Sequence, residues 1–146
     1  MRLSLQPSTD PADYHFVHQI RTRFAETDAM GVIHHASYLP YLEQARVELL
    51  RHTGHPYDEV RAEGVDLVVL EVYVRYRQPL RFDELVDIWV TVGALTATTF
   101  QVGYLLQVEG ETRATAVSVH GAVAAEGRPV RMLPWLAGLV DGLEPG

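Results

Sequence analysis

Tyr38-Leu39-Pro40-Tyr41-Leu42-Glu43-Gln44-Ala45-Arg46-Val47-Glu48-Leu49-Leu50-Arg51 is the stretch on which the fold turns. Tyr38, Leu42, Ala45 and Leu49 recur at helical spacing, with Leu39, Tyr41 and Leu50 beside them, so the run predicts an amphipathic helix. Ser37 is a suitable N-cap, Pro40 falls in the first turn where its missing N–H does no harm, and Gly54 is a natural stop. Upstream, Phe16 to Phe24 reads as a strand with Phe16, Ile20 and Phe24 on one face, a face that His18 and Thr22 share. Downstream, Pro56 to Glu63 reads as a short helix ended by Gly64. Four long period-two runs follow. Leu67 to Arg77 sets Val68, Leu70, Val72, Val74 and Tyr76 against Glu71, Tyr73, Arg75 and Arg77; Leu85 to Val92, Phe100 to Val108 and Arg113 to Val123 alternate likewise. Pro134 to Leu143 reads as one more short helix. One long helix against a run of antiparallel strands is an α+β layer arrangement. The small face Ala114, Ala116, Ser118 and Ala122 suits close approach of that helix.

The chain of 146 residues, 47% of them hydrophobic, suits a single domain over residues 1–146 with a substantial core. Residues 1–13 are polar and proline-containing, and read as a loose arm. No apolar run reaches the length of a membrane span, and no signal-peptide core stands at the N-terminus, so the expected location is cytoplasmic. Cysteine is absent, which excludes disulfides and thiolate chemistry. The net charge of −7 disfavours nucleic acid as a partner. All twelve basic residues are arginine, so any permanently charged phosphate ligand must be a guanidinium, and a Schiff-base lysine is impossible.

No Gly-x-Ser-x-Gly elbow, phosphate loop, dinucleotide fingerprint or His-Glu-x-x-His stretch occurs. The densest cluster of reactive types is Thr27 to Tyr38, where Asp28 precedes Gly31, His34 and His35 just before the helix. Helix N-termini expose unpaired N–H groups that polarise a carbonyl and hold the charge that develops when it is attacked. A carboxylate beside them can attack directly or activate water. The same spacing also describes a loop Asp capping its own turn, with a glycine supplying positive φ.

The block Arg23-Phe24-Ala25-Glu26-Thr27-Asp28-Ala29-Met30-Gly31-Val32-Ile33-His34-His35-Ala36-Ser37-Tyr38, continuing through Tyr41-Leu42-Glu43-Gln44-Ala45-Arg46, resembles the signature of the 4-hydroxybenzoyl-CoA thioesterase family. More narrowly it is similar to the acyl-CoA thioesterases associated with the Tol-Pal cluster. The resemblance implies a hotdog fold, in which a curved antiparallel five-stranded sheet wraps one long helix. It implies hydrolysis of acyl-CoA thioesters at a subunit interface, with dimers that often assemble into tetramers. It implies that Asp28 is the catalytic carboxylate, as nucleophile or general base, and that the backbone N–H at His35 polarises the thioester carbonyl. Gly31, His34 and Tyr38 would line the acyl group; the family usually has tyrosine where this chain has His34, which bears on the shape of the acyl pocket. No cofactor is implied, coenzyme A being part of the substrate.

Other residues carry weaker expectations. Arg75, Arg77 and Arg81 are candidates for coenzyme A phosphates, or else a solvated strand face. His34 and His35 lack a third ligand nearby, so no metal site is expected. Arg46 falls within the apolar arc of the helix and is expected to pair with Glu43, three residues away. A non-catalytic acyl-CoA-binding protein is the main rival. A hydratase is disfavoured because Met30 and Ile33 stand where the proton-transfer partners Asn and His would be needed.

Overall fold

The computed structural model describes residues 3–143. The elements in chain order are β1 (Phe16–Arg21), α1 (Tyr38–His52), α2 (Tyr57–Ala62), β2 (Asp66–Tyr76), β3 (Leu85–Gly93), β4 (Thr99–Val108), β5 (Glu111–Val123) and α3 (Trp135–Leu143). The five strands form one antiparallel sheet in the order β1-β3-β4-β5-β2, the hotdog arrangement. The register runs through Phe16–Val90, Val90–Tyr104, Tyr104–Ala116 and Ala116–Val74. α1 lays Tyr38, Tyr41, Leu42, Ala45 and Leu49 on the inner face of this sheet, against Val86, Ile88, Val90, Val102, Tyr104 and Ala116. Burial of these side chains, at about 1.5–3 kcal/mol each, is what holds a helix of marginal intrinsic stability in place.

The expected strand from Phe16 to Phe24 ends at Arg21. Thr22 is buried, and its hydroxyl donates to the Arg81 carbonyl at 2.6 Å and accepts from the Glu84 N–H at 2.9 Å. That pins the chain to the β2–β3 connection, and it turns away through a 3-10 turn at Phe24–Glu26 that leaves Phe24 exposed. β2 departs from strict alternation. The pairing with β5 slips between Val69 and Glu71, so Leu70 is an extra residue and the inward face changes parity there. β2 is also an edge strand, and Val69, Leu70, Val72, Tyr73 and Tyr76 are all exposed.

Residues 1–13 were expected to be loose. Met1 and Arg2 lie outside the described residues, but the rest is tied down. Leu3 N–H donates to the Gln101 side chain at 3.2 Å and the Leu3 side chain lies over Gly103, while Tyr14 is buried with its hydroxyl on the Ser8 carbonyl. This cover on the outer face of the sheet accounts for β4 being buried on both faces, Leu105 and Gln107 included.

Candidate functional site

The loop between β1 and α1 is built by its own hydrogen bonds. Asp28 N–H donates to the Val32 carbonyl at 2.8 Å, and Gly31 N–H to the Asp28 carbonyl at 3.0 Å. The Asp28 Oδ1 atom accepts from the N–H groups of Met30 (2.9 Å) and Val32 (3.3 Å), while Oδ2 has no partner among the described residues. The carboxylate thus caps its own turn with one oxygen and keeps the other free, so the two readings of the sequence are compatible. Gly31 has φ +79°, and a Cβ added there would meet nothing, so glycine is required by conformation rather than by close approach. The loop is docked by Ile33 N–H on the Leu80 carbonyl (2.7 Å) and His34 N–H on the Glu26 carbonyl (2.8 Å).

A single 3-10 turn, His35–Ser37, precedes α1. Ser37 stands at the N-cap of α1 as expected but makes no side-chain cap; His34 caps the 3-10 turn instead, its Nδ1 accepting from Ala36 N–H at 3.0 Å. Ser37 N–H is taken by the His34 carbonyl. Among the described residues, the His35 N–H is the donor in this turn with no acceptor, at the positive end of the helix.

Asp28, His35, Tyr38 and Arg77 line one open cleft of about 300 Å³, together with Tyr76 and Met30. Gly31, His34 and Arg75 do not line it. Tyr38 is 2% exposed; its hydroxyl accepts from the Leu80 N–H at 3.3 Å, and burial raises its pKa, so it is a fixed neutral wall. His34 and His35 stack with ring centroids 4.3 Å apart. Among the described residues, no three His, Asp or Glu side chains are grouped as a metal site requires. Arg75 and Arg77 are exposed and form no ion pair among the described residues, and Arg77 lies just past the end of β2.

Tyr76 is the residue that sequence reasoning passed over, reading it as one more apolar strand position. Its hydroxyl donates to the His35 carbonyl at 3.0 Å, and its ring meets Tyr38 edge-on at 4.9 Å. It therefore clamps the turn that presents the His35 N–H to the end of β2. Its place between two arginines, just before Gln78-Pro79, was the signal available. Two half-buried carboxylates brace the walls. Burial acts to raise the pKa of Glu26, but hydrogen bonds from Tyr41 (2.6 Å) and Arg23 outweigh it and the net shift is downward. Glu84 shows the same balance, with Arg113 gripping it through two bonds of 2.9 Å while also donating to the Pro79 carbonyl.

The expected Glu43–Arg46 pair does not form. Arg46 Nη1 donates instead to the Tyr104 hydroxyl at 3.0 Å, across the helix–sheet interface. Packing of α1 on β4 puts a buried hydroxyl within reach, whereas Glu43 is exposed and well hydrated.

Residues 22–140 match the thioesterase-like superfamily. A putative esterase of Aquifex aeolicus is 36% identical over 105 residues, covering 72% of this chain and 82% of that protein. An acyl-CoA thioester hydrolase of Escherichia coli, YbgC, is 36% identical over 80 residues, covering 55% of this chain and 60% of that protein, which is under two-thirds of its length. The crystal structure of a hypothetical protein from Thermus thermophilus superposes with a TM-score of 0.82 at 34% identity, over 88% of this chain and 98% of that one. With this helix-and-sheet fold and a family match over most of its length, the chain belongs to the thioesterase-like superfamily and is a thioesterase.

Proposed function

We propose that this chain hydrolyses acyl-CoA thioesters to the free acid and coenzyme A, with Asp28 as the catalytic carboxylate. The observation that carries the reading is the pairing, in one cleft, of a carboxylate with a free oxygen and a helix-start N–H with no acceptor. The thioester carbonyl oxygen would accept from the His35 N–H, which is strengthened by the positive end of α1. In the general-base route, the Asp28 carboxylate takes a proton from water as the oxygen of that water attacks the carbonyl carbon. The tetrahedral oxyanion collapses, the C–S bond breaks, and the departing thiolate recovers the proton. In the nucleophilic route the Asp28 carboxylate attacks the carbonyl carbon, the C–S bond breaks and the coenzyme A thiolate leaves; water then hydrolyses the mixed anhydride, restoring the Asp28 carboxylate, and the proton released goes to the thiolate. Neither route requires a metal or cofactor. Arg77, which lines the cleft, would take the phosphates of the coenzyme, and Arg75, on the strand before it, is the second candidate.

The exposed apolar edge of β2 supports a homodimer. An edge strand carrying Val69, Leu70, Val72 and Tyr73 in water invites pairing with another copy, and a two-fold axis through β2 would satisfy both edges at once. Further assembly to a tetramer and a cytoplasmic location complete the reading. The Arg23–Arg46 block supports a narrower place in the 4-hydroxybenzoyl-CoA thioesterase family, near the Tol-Pal-associated branch. A panel of aliphatic and aromatic acyl-CoA thioesters, followed by free-thiol release and run beside light scattering, tests the proposal. Turnover of at least one CoA thioester by a dimer is expected. Absence of thiol release across the panel would leave the non-catalytic acyl-CoA-binding reading in its place.

A further inference from the structure

A second cavity, of about 240 Å³, opens beneath the middle of α1 and shares no lining residue with the Asp28 cleft. Tyr38, in the cleft, and Arg46, in this cavity, are separated by roughly 12 Å along the helix. The cavity's exposed lining residues, Glu43 and Val69, mark its open side, and buried Phe100, Val102, His120 and Leu136 form its floor.

Apart from Glu43 at the open side and Tyr57, the lining is apolar except where Arg46 and His120, the two ends of one polar chain that the thioesterase chemistry does not use, reach it. Arg46 Nη1 donates to Tyr104 Oη at 3.0 Å, Tyr104 Oη lies 2.7 Å from Ser118 Oγ, and Ser118 Oγ lies 2.6 Å from His120 Nε2. Arginine only donates, and each hydroxyl has one proton. The arrangement that uses every buried hydroxyl proton therefore runs from Arg46 to Tyr104 to Ser118 to His120. Nε2 is then the acceptor and the imidazole proton sits on Nδ1. Nδ1 has no hydrogen-bond partner among the described residues, although His120 is only 2% exposed and its ring stacks on Phe100. Nδ1 is not among the fully enclosed unpartnered atoms, so this donor opens onto the cavity that its ring lines. Burial first, and the neighbouring Arg46 charge second, lower the His120 pKa to about 3, so the ring stays neutral and Arg46 is the positive charge at the cavity. Arg46 forms no ion pair among the described residues, and most of its five N–H donors are unspent.

We propose that this cavity binds a free carboxylate with a compact apolar body, the carboxylate oxygens held by the Arg46 guanidinium and the His120 Nδ1–H. An apolar cavity of about 150 Å³ takes benzene, so this one has room for a body of roughly six to ten carbons. Val92, Phe100 and Leu139 would enclose that body. A medium-chain acid such as octanoate meets both demands, and the site stands whether or not Asp28 is the catalytic group.

Calorimetric titration of the full chain with octanoate and with 1-octanol tests this without a variant. Octanoate should bind about tenfold or more tightly than the uncharged alcohol, as a charge-assisted pair in a partly buried site implies. Arg46→Met should erase the difference while octanol still binds, which also shows that the variant is folded. Leu139→Trp, at a half-buried position, should fill the cavity and abolish binding of both. Asp28→Asn should leave octanoate binding unchanged, which separates this site from the cleft. Equal affinities in the unaltered protein, a preference that survives Arg46→Met, octanoate binding that survives Leu139→Trp, or octanoate binding lost in Asp28→Asn would each overturn the proposal.

Discussion

Replacing Asp28 by asparagine separates chemistry from architecture, because the two oxygens of this carboxylate have different duties. Oδ1 accepts from Met30 and Val32, and the asparagine Oδ1 can keep both bonds. Oδ2 has no partner, so exchanging it for an NH2 leaves no hydrogen bond unmade. The loop should therefore survive with a stability change within about 0.5 kcal/mol, as for a surface substitution that removes no contact. Asp28→Ala, by contrast, strips both N–H groups of their acceptor and should cost about 1–2 kcal/mol. Activity should fall in both. Asparagine accepts no proton at neutral pH, and loss of a positioned general base lowers turnover by about a hundredfold to ten-thousandfold. The loss should fall on kcat, because the His35 N–H still receives the carbonyl. Thiol-release kinetics, thermal melting and binding of a non-hydrolysable acyl-CoA analogue, measured on both variants, give the answer. Near-normal kcat in folded Asp28→Asn would refute the assignment and make Glu43 the next residue to replace.

Three other outcomes follow from the same geometry. Tyr76→Phe removes the hydroxyl that fixes the His35 turn; kcat should fall about tenfold with KM little changed and a stability loss near 1 kcal/mol, and an unchanged kcat would show that the clamp does not position the donor. Arg77→Ala should raise KM for acyl-CoA more than it lowers kcat and leave an acyl N-acetylcysteamine thioester unaffected, whereas equal losses on both substrates would make Arg77 structural. Stability should fall with acidity in two stages. Below 6.5 the unfolded chain protonates His120 and His15, whose folded pKa values are lowered by burial, to about 3 for His120; below 4.5 the depressed folded pKa values of Glu26 and Glu84 add a second loss. In both stages the unfolded state binds more protons, so stability must rise with pH. Melting curves from pH 8 to 3 should lose much of the first stage in His120→Gln and part of the second in Glu84→Gln.

The elements that the sequence made legible are those in which periodicity and burial coincide. α1 carries its apolar stripe at helical spacing because one face meets the sheet, and β3 alternates because one face meets α1. The departures have local causes that no window of sequence contains. β1 stops short because Thr22 finds partners about sixty residues away in the β2–β3 connection, and propensity alone would carry the strand on to Phe24. Leu70 reads as one beat of a regular alternation, yet it is the bulged residue. Only the pairing of Val69 with His120 and of Glu71 with Val119 reveals the slip. Arg46 illustrates the same limit from the side of electrostatics: its helical neighbour Glu43 is visible in the sequence, while the Tyr104 hydroxyl that it contacts lies on another strand.

The bulge at Leu70 has a consequence for the site as well as for the register. With the extra residue, Leu67 and Val69 line the cavity beneath α1, whereas past it Val74 packs on the core and Tyr76 reaches the turn before α1. An unbroken pleat would give Val69 and Tyr76 opposite faces, because they are an odd number of residues apart. Because Leu70 is bulged out of the ladder, both residues keep to one face, and a single edge strand serves the cavity at one end and the catalytic cleft at the other. Deleting Leu70 should therefore be tolerated at both ends: without it Val69 and Tyr76 are an even number of residues apart, on one face of an unbroken pleat, and the pairings Val69–His120, Glu71–Val119 and Tyr76–Ala114 persist. Thioester turnover should then stay well above that of Tyr76→Phe while octanoate still binds, and turnover as low as that of Tyr76→Phe in the folded deletion variant would show that the bulge itself, and not the pairing of β2 with β5, sets the reach of the Tyr76 hydroxyl.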